Sequence, residues 1–119
     1  MITSYKELTV WQKSMLLTEM VYRLVKFLPR EELYALSDQM RRAAVSIPSN
    51  IAEGNARTSK RDYANFLSIA RGSTAELETQ LLISVRLNYL QNSQIEAPLS
   101  LCHEIVKMLT VLIQRLMHY

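Results

Sequence analysis

The sequence predicts an all-α protein, an antiparallel up-and-down four-helix bundle whose second helix is kinked at Pro48. Three observations carry this. Apolar residues recur at steps of three and four along almost the whole chain. Only two Gly and three Pro punctuate 119 residues, too few for a turn-rich β protein. The interruptions fall at three places, which divides the chain into four amphipathic segments of about 5–28, 33–53, 59–90 and 97–118. The length fits a single domain spanning residues 1–119, and 49% hydrophobic with 21% charged residues is ordinary for a chain with a real core.

The first segment carries two neighbouring stripes. One is Leu8, Trp11, Met15, Tyr22 and Val25; the other is Val10, Leu17, Val21, Leu24 and Leu28. Pro29 and the charged run Arg30-Glu31-Glu32 end it. The second segment faces Leu36, Met40, Ala43, Ala44, Ile47 and Ile51 inward, with Ser37 or Asp38 as the expected cap. Ile47 and Ile51 continue the stripe beyond Pro48, so a bend serves the pattern better than a stop. Pro48 cannot donate to the Ala44 carbonyl and crowds it. Ser46, Ser49 and Asn50 are the nearby polar groups available to the freed backbone, and Gly54 fits a left-handed position just past the helix end.

The third segment opens at Thr58-Ser59, either of which suits an N-cap, with Asp62 in the first turn. Tyr63, Phe66, Leu67, Ala70, Ser73 or Thr74, Leu77 and Leu81 form its stripe. The break is Gln91-Asn92-Ser93-Gln94. The fourth segment places Pro98 in a first helical turn. Its stripe is Leu99, Cys102, Ile105, Val106, Leu109, Leu112, Ile113 and Leu116, widened by Leu101, Met108 and Val111. Apolar faces this wide mean either a thick core or a second apolar surface covered by another subunit.

Chemistry is sparse. There is no Glu-x-x-His, and His103 and His118 have no matching ligand set, so a di-metal bundle is excluded and no cofactor is expected. Cys102 lies on an apolar stripe as a structural thiol, and its neighbour His103 points about 100° away. Glu76 and Glu78 splay apart. Glycine-rich phosphate loops and nucleophile elbows are absent. The expectation is a non-enzyme. The lone Cys gives no intramolecular disulfide, and neither a signal peptide nor an apolar run of about 18 residues is visible, so the expected location is the cytoplasm.

Charge is the more informative signal. Between Arg41 and Arg61 five basic residues, Arg41, Arg42, Arg57, Lys60 and Arg61, oppose one acid, Glu53, a local +4 in a chain of net +3. Arg71 lies about three turns further on. Such a patch suits phosphate backbones, with Tyr63 as a stacking face if it is not packed in the core. These six basic residues are the nucleic-acid-binding candidates. The competing reading is a solvated face of a protein-interaction scaffold, in which Arg41 and Arg42 make structural or intersubunit ion pairs.

Three long motifs then converge. They are Leu8-Thr9-Val10-Trp11-Gln12-Lys13, the stretch from Gln39 to Gly54 (QMRRAAVSIPSNIAEG), and Phe66 to Leu81 (FLSIARGSTAELETQL). Together they resemble the bacterial four helix bundle protein family, also called the 23S ribosomal RNA intervening sequence proteins. Met40 departs from the smaller aliphatic residue usual there but keeps the apolar character. The resemblance implies a four-helix bundle assembled as a homopentamer. Some members are encoded within 23S rRNA genes. A related branch, the accessory variability proteins of diversity-generating retroelements, binds nucleic acid and a reverse transcriptase through a basic surface. It implies RNA or DNA, a reverse transcriptase or another protein, and further copies of the chain as partners, and no membrane. Arg41 and Arg42 match the family motif directly; the other four basic residues are added by charge alone.

Overall fold

The first helical stripe begins after an extended residue. Leu8 (φ −72°, ψ 126°) separates a single 3-10 turn at Tyr5–Glu7 from the first α-helix, α1, Thr9–Leu24. The computed structural model describes residues 4–118. Helix α1 relaxes into a 3-10 turn over Val25–Phe27, so the α-helix proper ends four residues before the expected Leu28. A further 3-10 turn, Arg30–Glu32, precedes α2, Leu36–Asn55. Helices α3, Lys60–Arg86, and α4, Asn92–Met117, complete the chain. Each helix packs on its neighbours in sequence and α1 closes against α4, giving a four-cornered antiparallel bundle of about 46 × 23 × 20 Å. One end holds the start of α1, the α2–α3 turn and the close of α4. The other holds the α1–α2 and α3–α4 turns.

The α2 cap is neither Ser37 nor Asp38. Ser37 is buried as the second residue of the helix, and the Leu36 N–H is met at 3.3 Å by the Glu32 carboxylate, reaching forward from the preceding turn. Helix α2 runs unbroken through Pro48, which is itself buried. The help at the freed backbone comes from the adjacent helix: the Thr18 hydroxyl is 3.1 Å from the Ala44 carbonyl. Within α2, Asn50 donates to the Ser46 carbonyl and hydroxyl at 2.8 and 2.9 Å.

Gly54 is helical, not left-handed, and α2 continues to Asn55. Its requirement is steric. A β-carbon there would lie 2.8 Å from the Phe66 β-carbon and 3.0 Å from the Tyr63 ring, so the missing side chain is what lets α3 close on α2. Ser59 caps α3 as expected, accepting from the Asp62 N–H at 3.0 Å.

Helix α3 ends at Arg86, and the reversal that follows uses Asn88 at positive φ (63°), a conformation Asn tolerates better than most residues. Gln91 to Gln94 is the start of α4, not a break. The two glutamines form a reciprocal capping box, the Gln91 N–H donating to Gln94 Oε1 at 2.8 Å. Pro98 therefore falls in the second turn rather than the first.

Leu17, Val21, Met40, Ala44, Ile47, Ile51, Leu67, Leu77, Leu81, Ile105 and Leu109 are fully buried and define one core. Of the two α1 stripes, that of Val10, Leu17, Val21, Leu24 and Leu28 turns inward. Leu8 and Trp11 pack on the flank, while Met15 and Tyr22 face outward. The extra apolar width is thus on the outside of the bundle. Met15, Tyr22 and Val45, with Trp11 and Pro48, give an apolar strip along the α1–α2 face. Among the described residues no helix is long and apolar enough to cross a membrane.

Candidate nucleic-acid interface

The α2–α3 turn is built around the Gly54 contact. With α3 drawn close, the Asn55 amide donates to the Tyr63 hydroxyl at 3.2 Å, and the Arg57 guanidinium lies 4.7 Å above the Phe66 ring. Arg57 also pairs with Glu53 at 3.1 Å, one turn back in sequence. Tyr63 is half-buried and packs against the core, so its ring is a structural element of the turn rather than an open stacking face.

Lys60 and Arg61 are exposed in the first turn of α3. Cations at a helix N-terminus oppose the helix dipole, and Asp62 beside them offsets part of that cost. The same end does favour an anionic group, whose charge the first-turn N–H groups and the two cations would share.

The six sequence candidates do not form one surface. Arg57, Lys60 and Arg61 share the α2–α3 end. Arg41 and Arg42 lie near the opposite end, Arg42 being about 20 Å along the axis from Asn55 at 1.5 Å per residue. Arg42 is 79% exposed and pairs with Asp38 at 2.9 Å. Arg41 is only 24% exposed, and its guanidinium donates to the Leu33 carbonyl at 3.2 Å. Arg71 is half-buried at the α3–α4 seam, donating to the Thr110 hydroxyl at 3.2 Å. Sequence order brought five of these residues, Arg41 to Arg61, into one charge run, with Arg71 ten residues beyond it. The helix axis separates them.

Two features escaped the sequence reading. One is Tyr34, 92% exposed on the α1–α2 turn. The other is an apolar groove of about 380 Å³ between the start of α1 and the last turns of α4, lined by Leu8, Val10, Met108, Val111 and Leu112 and flanked by Lys107 and Arg115. The Met108 and Val111 positions that widen the α4 stripe were the available signal for the groove. An aromatic beside a Glu-Glu pair in a turn was the available signal for Tyr34.

Reactive groups stay apart. Cys102 is fully buried, and burial, with a smaller contribution from Glu78, pushes its thiol up to about 12. His103 turns outward to Glu78 at 3.3 Å. Glu76 lines the α2–α3 face and Glu78 points to α4, so they do not act on one site. Among the described residues no group of three His, Cys, Asp or Glu side chains is placed to hold a metal ion.

The fold and its surface define a small helical-bundle protein whose prominent features are ion pairs, an outer apolar strip and the exposed Lys60 and Arg61 at the start of α3. The chain belongs to the 23S rRNA-intervening sequence protein family, whose model matches residues 6–111. A solved structure described as a protein of unknown function from the S23 ribosomal protein family of Bacteroides thetaiotaomicron is 32% identical. The match covers 89% of this chain and 99% of that one, with a TM-score of 0.82. No curated protein matches the chain.

Proposed function

We propose that the protein is a non-enzymatic, self-associating helical bundle that binds nucleic acid, RNA foremost, through the α2–α3 end. The observation that carries this is the pair of exposed cations, Lys60 and Arg61, at the N-terminus of a long helix, where they cost helix stability and favour a phosphate. Arg57 stands beside them. The family's association with 23S rRNA intervening sequences supports RNA as the first ligand to try. Copies assembled in a ring would present the basic turn several times, which turns weak phosphate contacts into a multivalent surface.

The test is binding of RNA and DNA as a function of salt, with the wild-type chain and an Arg57→Glu/Arg61→Glu variant. The expected result is binding whose logarithm falls linearly with the logarithm of salt concentration, and a shallower slope in the variant. Absence of binding at low salt, or binding indifferent to salt, overturns the reading.

A second reading is favoured for Arg41 and Arg42 alone. Arg41 is a half-buried clamp on the Leu33 carbonyl and Arg42 is paired with Asp38, the geometry of structural and contact residues rather than of free phosphate ligands. In that reading the chain is a protein-interaction scaffold, and the α1–α2 face carries its contacts.

A further inference from the structure

Helix α4 outruns the helix it packs against. Lys13 meets Glu104 at 3.1 Å, and this antiparallel register sets Thr9, the first residue of α1, level with Met108. Met117 then lies about 13 Å beyond the start of α1. The turn Tyr5–Glu7 packs over α1 and α2, not along α4. From Thr110 to Met117 no residue of α4 is buried, yet Val111, Leu112, Ile113, Leu116 and Met117 are apolar. Where the two helices part they leave the groove of about 380 Å³, whose walls include Leu8, Met108, Val111 and Leu112. Val111 is 43% exposed in that wall, so apolar surface here still gains by leaving water.

Charge decides what fits. Lys107, Val111 and Arg115 recur every four residues, so the two cations stand on one stripe of α4, about 12 Å apart, with the valine between them. Both are exposed, and among the described residues neither is in an ion pair. Glu7 is the one acid among the lining residues and is already engaged. A single anionic head group would meet one cation and leave the other. Two carboxylates two turns apart on one helix, about 10–12 Å, meet both. The apolar residues between them then fall against Met108, Val111 and Leu112. Charges flanking an apolar seam in this way select the partner helix. The chain itself carries a net +3, so a cationic edge favours a foreign acidic helix over a second copy.

We propose that the α1–α4 groove is a docking site for an acidic amphipathic helix of another protein. The apolar stripe of that helix seats on Met108, Val111 and Leu112, and its carboxylates meet Lys107 and Arg115. The site shares an end of the bundle with Lys60 and Arg61 but uses neither, so it stands or falls independently of nucleic-acid binding.

The experiment uses the full chain and two fluorescein-labelled peptides of about 15 residues, held helical by a side-chain staple. Each presents a leucine stripe; one carries Glu at i and i+7 beside the stripe, the other Lys. Anisotropy is read for wild type, Lys107→Glu/Arg115→Glu, Val111→Ser and Arg57→Glu/Arg61→Glu. All these positions are exposed, and circular dichroism checks that each variant keeps its helicity. Wild type is expected to bind the Glu peptide more weakly as salt rises, and the Lys peptide at least about tenfold more weakly still. The Lys107→Glu/Arg115→Glu variant should invert that preference, Val111→Ser should weaken both peptides several-fold, and Arg57→Glu/Arg61→Glu should match wild type. Equal affinity for the two peptides, or a preference that charge reversal leaves in place, overturns the proposal. So does loss of binding in Arg57→Glu/Arg61→Glu, which moves the contact to the α2–α3 end. A wild type that binds neither peptide overturns it as well. In that case, displacement of an apolar dye by dodecanoate gives the groove to a fatty acid, and a change of light-scattering mass in Val111→Ser gives it to a second copy.

Discussion

The Thr18 hydroxyl lies 3.1 Å from the Ala44 carbonyl oxygen, the acceptor that Pro48 cannot serve because it has no N–H. The same hydroxyl is 2.8 Å from the Ser14 carbonyl, so one proton is shared between two acceptors. The Ser14 carbonyl already receives the helical Thr18 N–H, whereas Ala44 has lost its helical donor. The proton therefore matters more at Ala44. This contact joins α1 to α2 at the level of the proline and explains how an internal proline sits in an unbroken, buried helix.

Replacing the hydroxyl by a methyl tests that account. Thr18→Val is expected to destabilise the fold by about 1–2 kcal/mol, because it leaves a part-buried carbonyl without a donor. In a chain of this size that is a fall of roughly 3–10 °C in the thermal midpoint. In a Pro48→Ala background the N–H returns, and Thr18→Val should cost distinctly less. Equal costs in both backgrounds, read from urea unfolding, would show that the hydroxyl does not compensate for the proline.

Gly54 makes a prediction opposite in sign to helix propensity. In a helix interior Gly→Ala ordinarily stabilises by about 1 kcal/mol. Here the new β-carbon would meet the Phe66 β-carbon at 2.8 Å, and that atom is close to the α3 backbone and cannot swing away. Gly54→Ala is expected to destabilise by about 1–3 kcal/mol through overpacking. Gly72, with open space around it, serves as the internal control, and Gly72→Ala should stabilise. A thermal midpoint for Gly54→Ala at or above wild type would refute the steric role.

Cys102 offers a readout of global opening. Burial raises its pKa from 9.0 to about 12, so near pH 8 the folded thiol is thiolate in only roughly one molecule in ten thousand. Labelling by a disulfide reagent at pH 8 is expected to be slow in buffer and fast in denaturing urea. The linkage sign follows: the neutral thiol is favoured in the fold, so its contribution is fully present below about pH 9 and is lost as pH rises through 12. Rapid native-state labelling would mean that α4 opens locally.

Tyr89 and Glu32 tie the α3–α4 turn to the α1–α2 turn at 2.8 Å. The hydrogen bond to Glu32 raises the Tyr89 pKa above 10.0, with burial and the carboxylates of Glu32 and Glu31 adding to it. The bond stabilises below the ordinary tyrosine range and is lost as pH climbs through the raised value. Tyr89→Phe should lower the thermal midpoint at pH 7, and the difference from wild type should vanish well above pH 10. A difference that persists unchanged there would assign the effect to packing.

Helix caps show where sequence reading succeeds and where it stops. Ser59 was identifiable because the donor it accepts from, the Asp62 N–H, lies three residues away in the same segment. The α2 start was misplaced because its cap is a Glu32 side chain from a separate turn, and nothing local marks Glu32 as reaching forward. Gly54 was read as a helix terminator because Gly commonly is one. Its real constraint is Phe66 on the next helix. The basic candidates show the same limit: the charge run from Arg41 to Arg61 became two separate placements, with Arg71 in a third, because a helix advances about 1.5 Å with every residue.

The sequence by itself determined the four helices, the all-α fold and the family, since a repeat near 3.6 residues and the stretch from Gln39 to Gly54 are properties of the chain order alone. Tertiary structure alone decided which α1 stripe turned inward, and that Met15, Tyr22 and Val45 stayed outside. It also decided that Thr18 would serve Ala44, and that Tyr34 would be held clear of the fold. The physical reason is that periodicity fixes the direction of a side chain about its own helix axis, while burial and hydrogen bonding depend on which other helix stands in that direction.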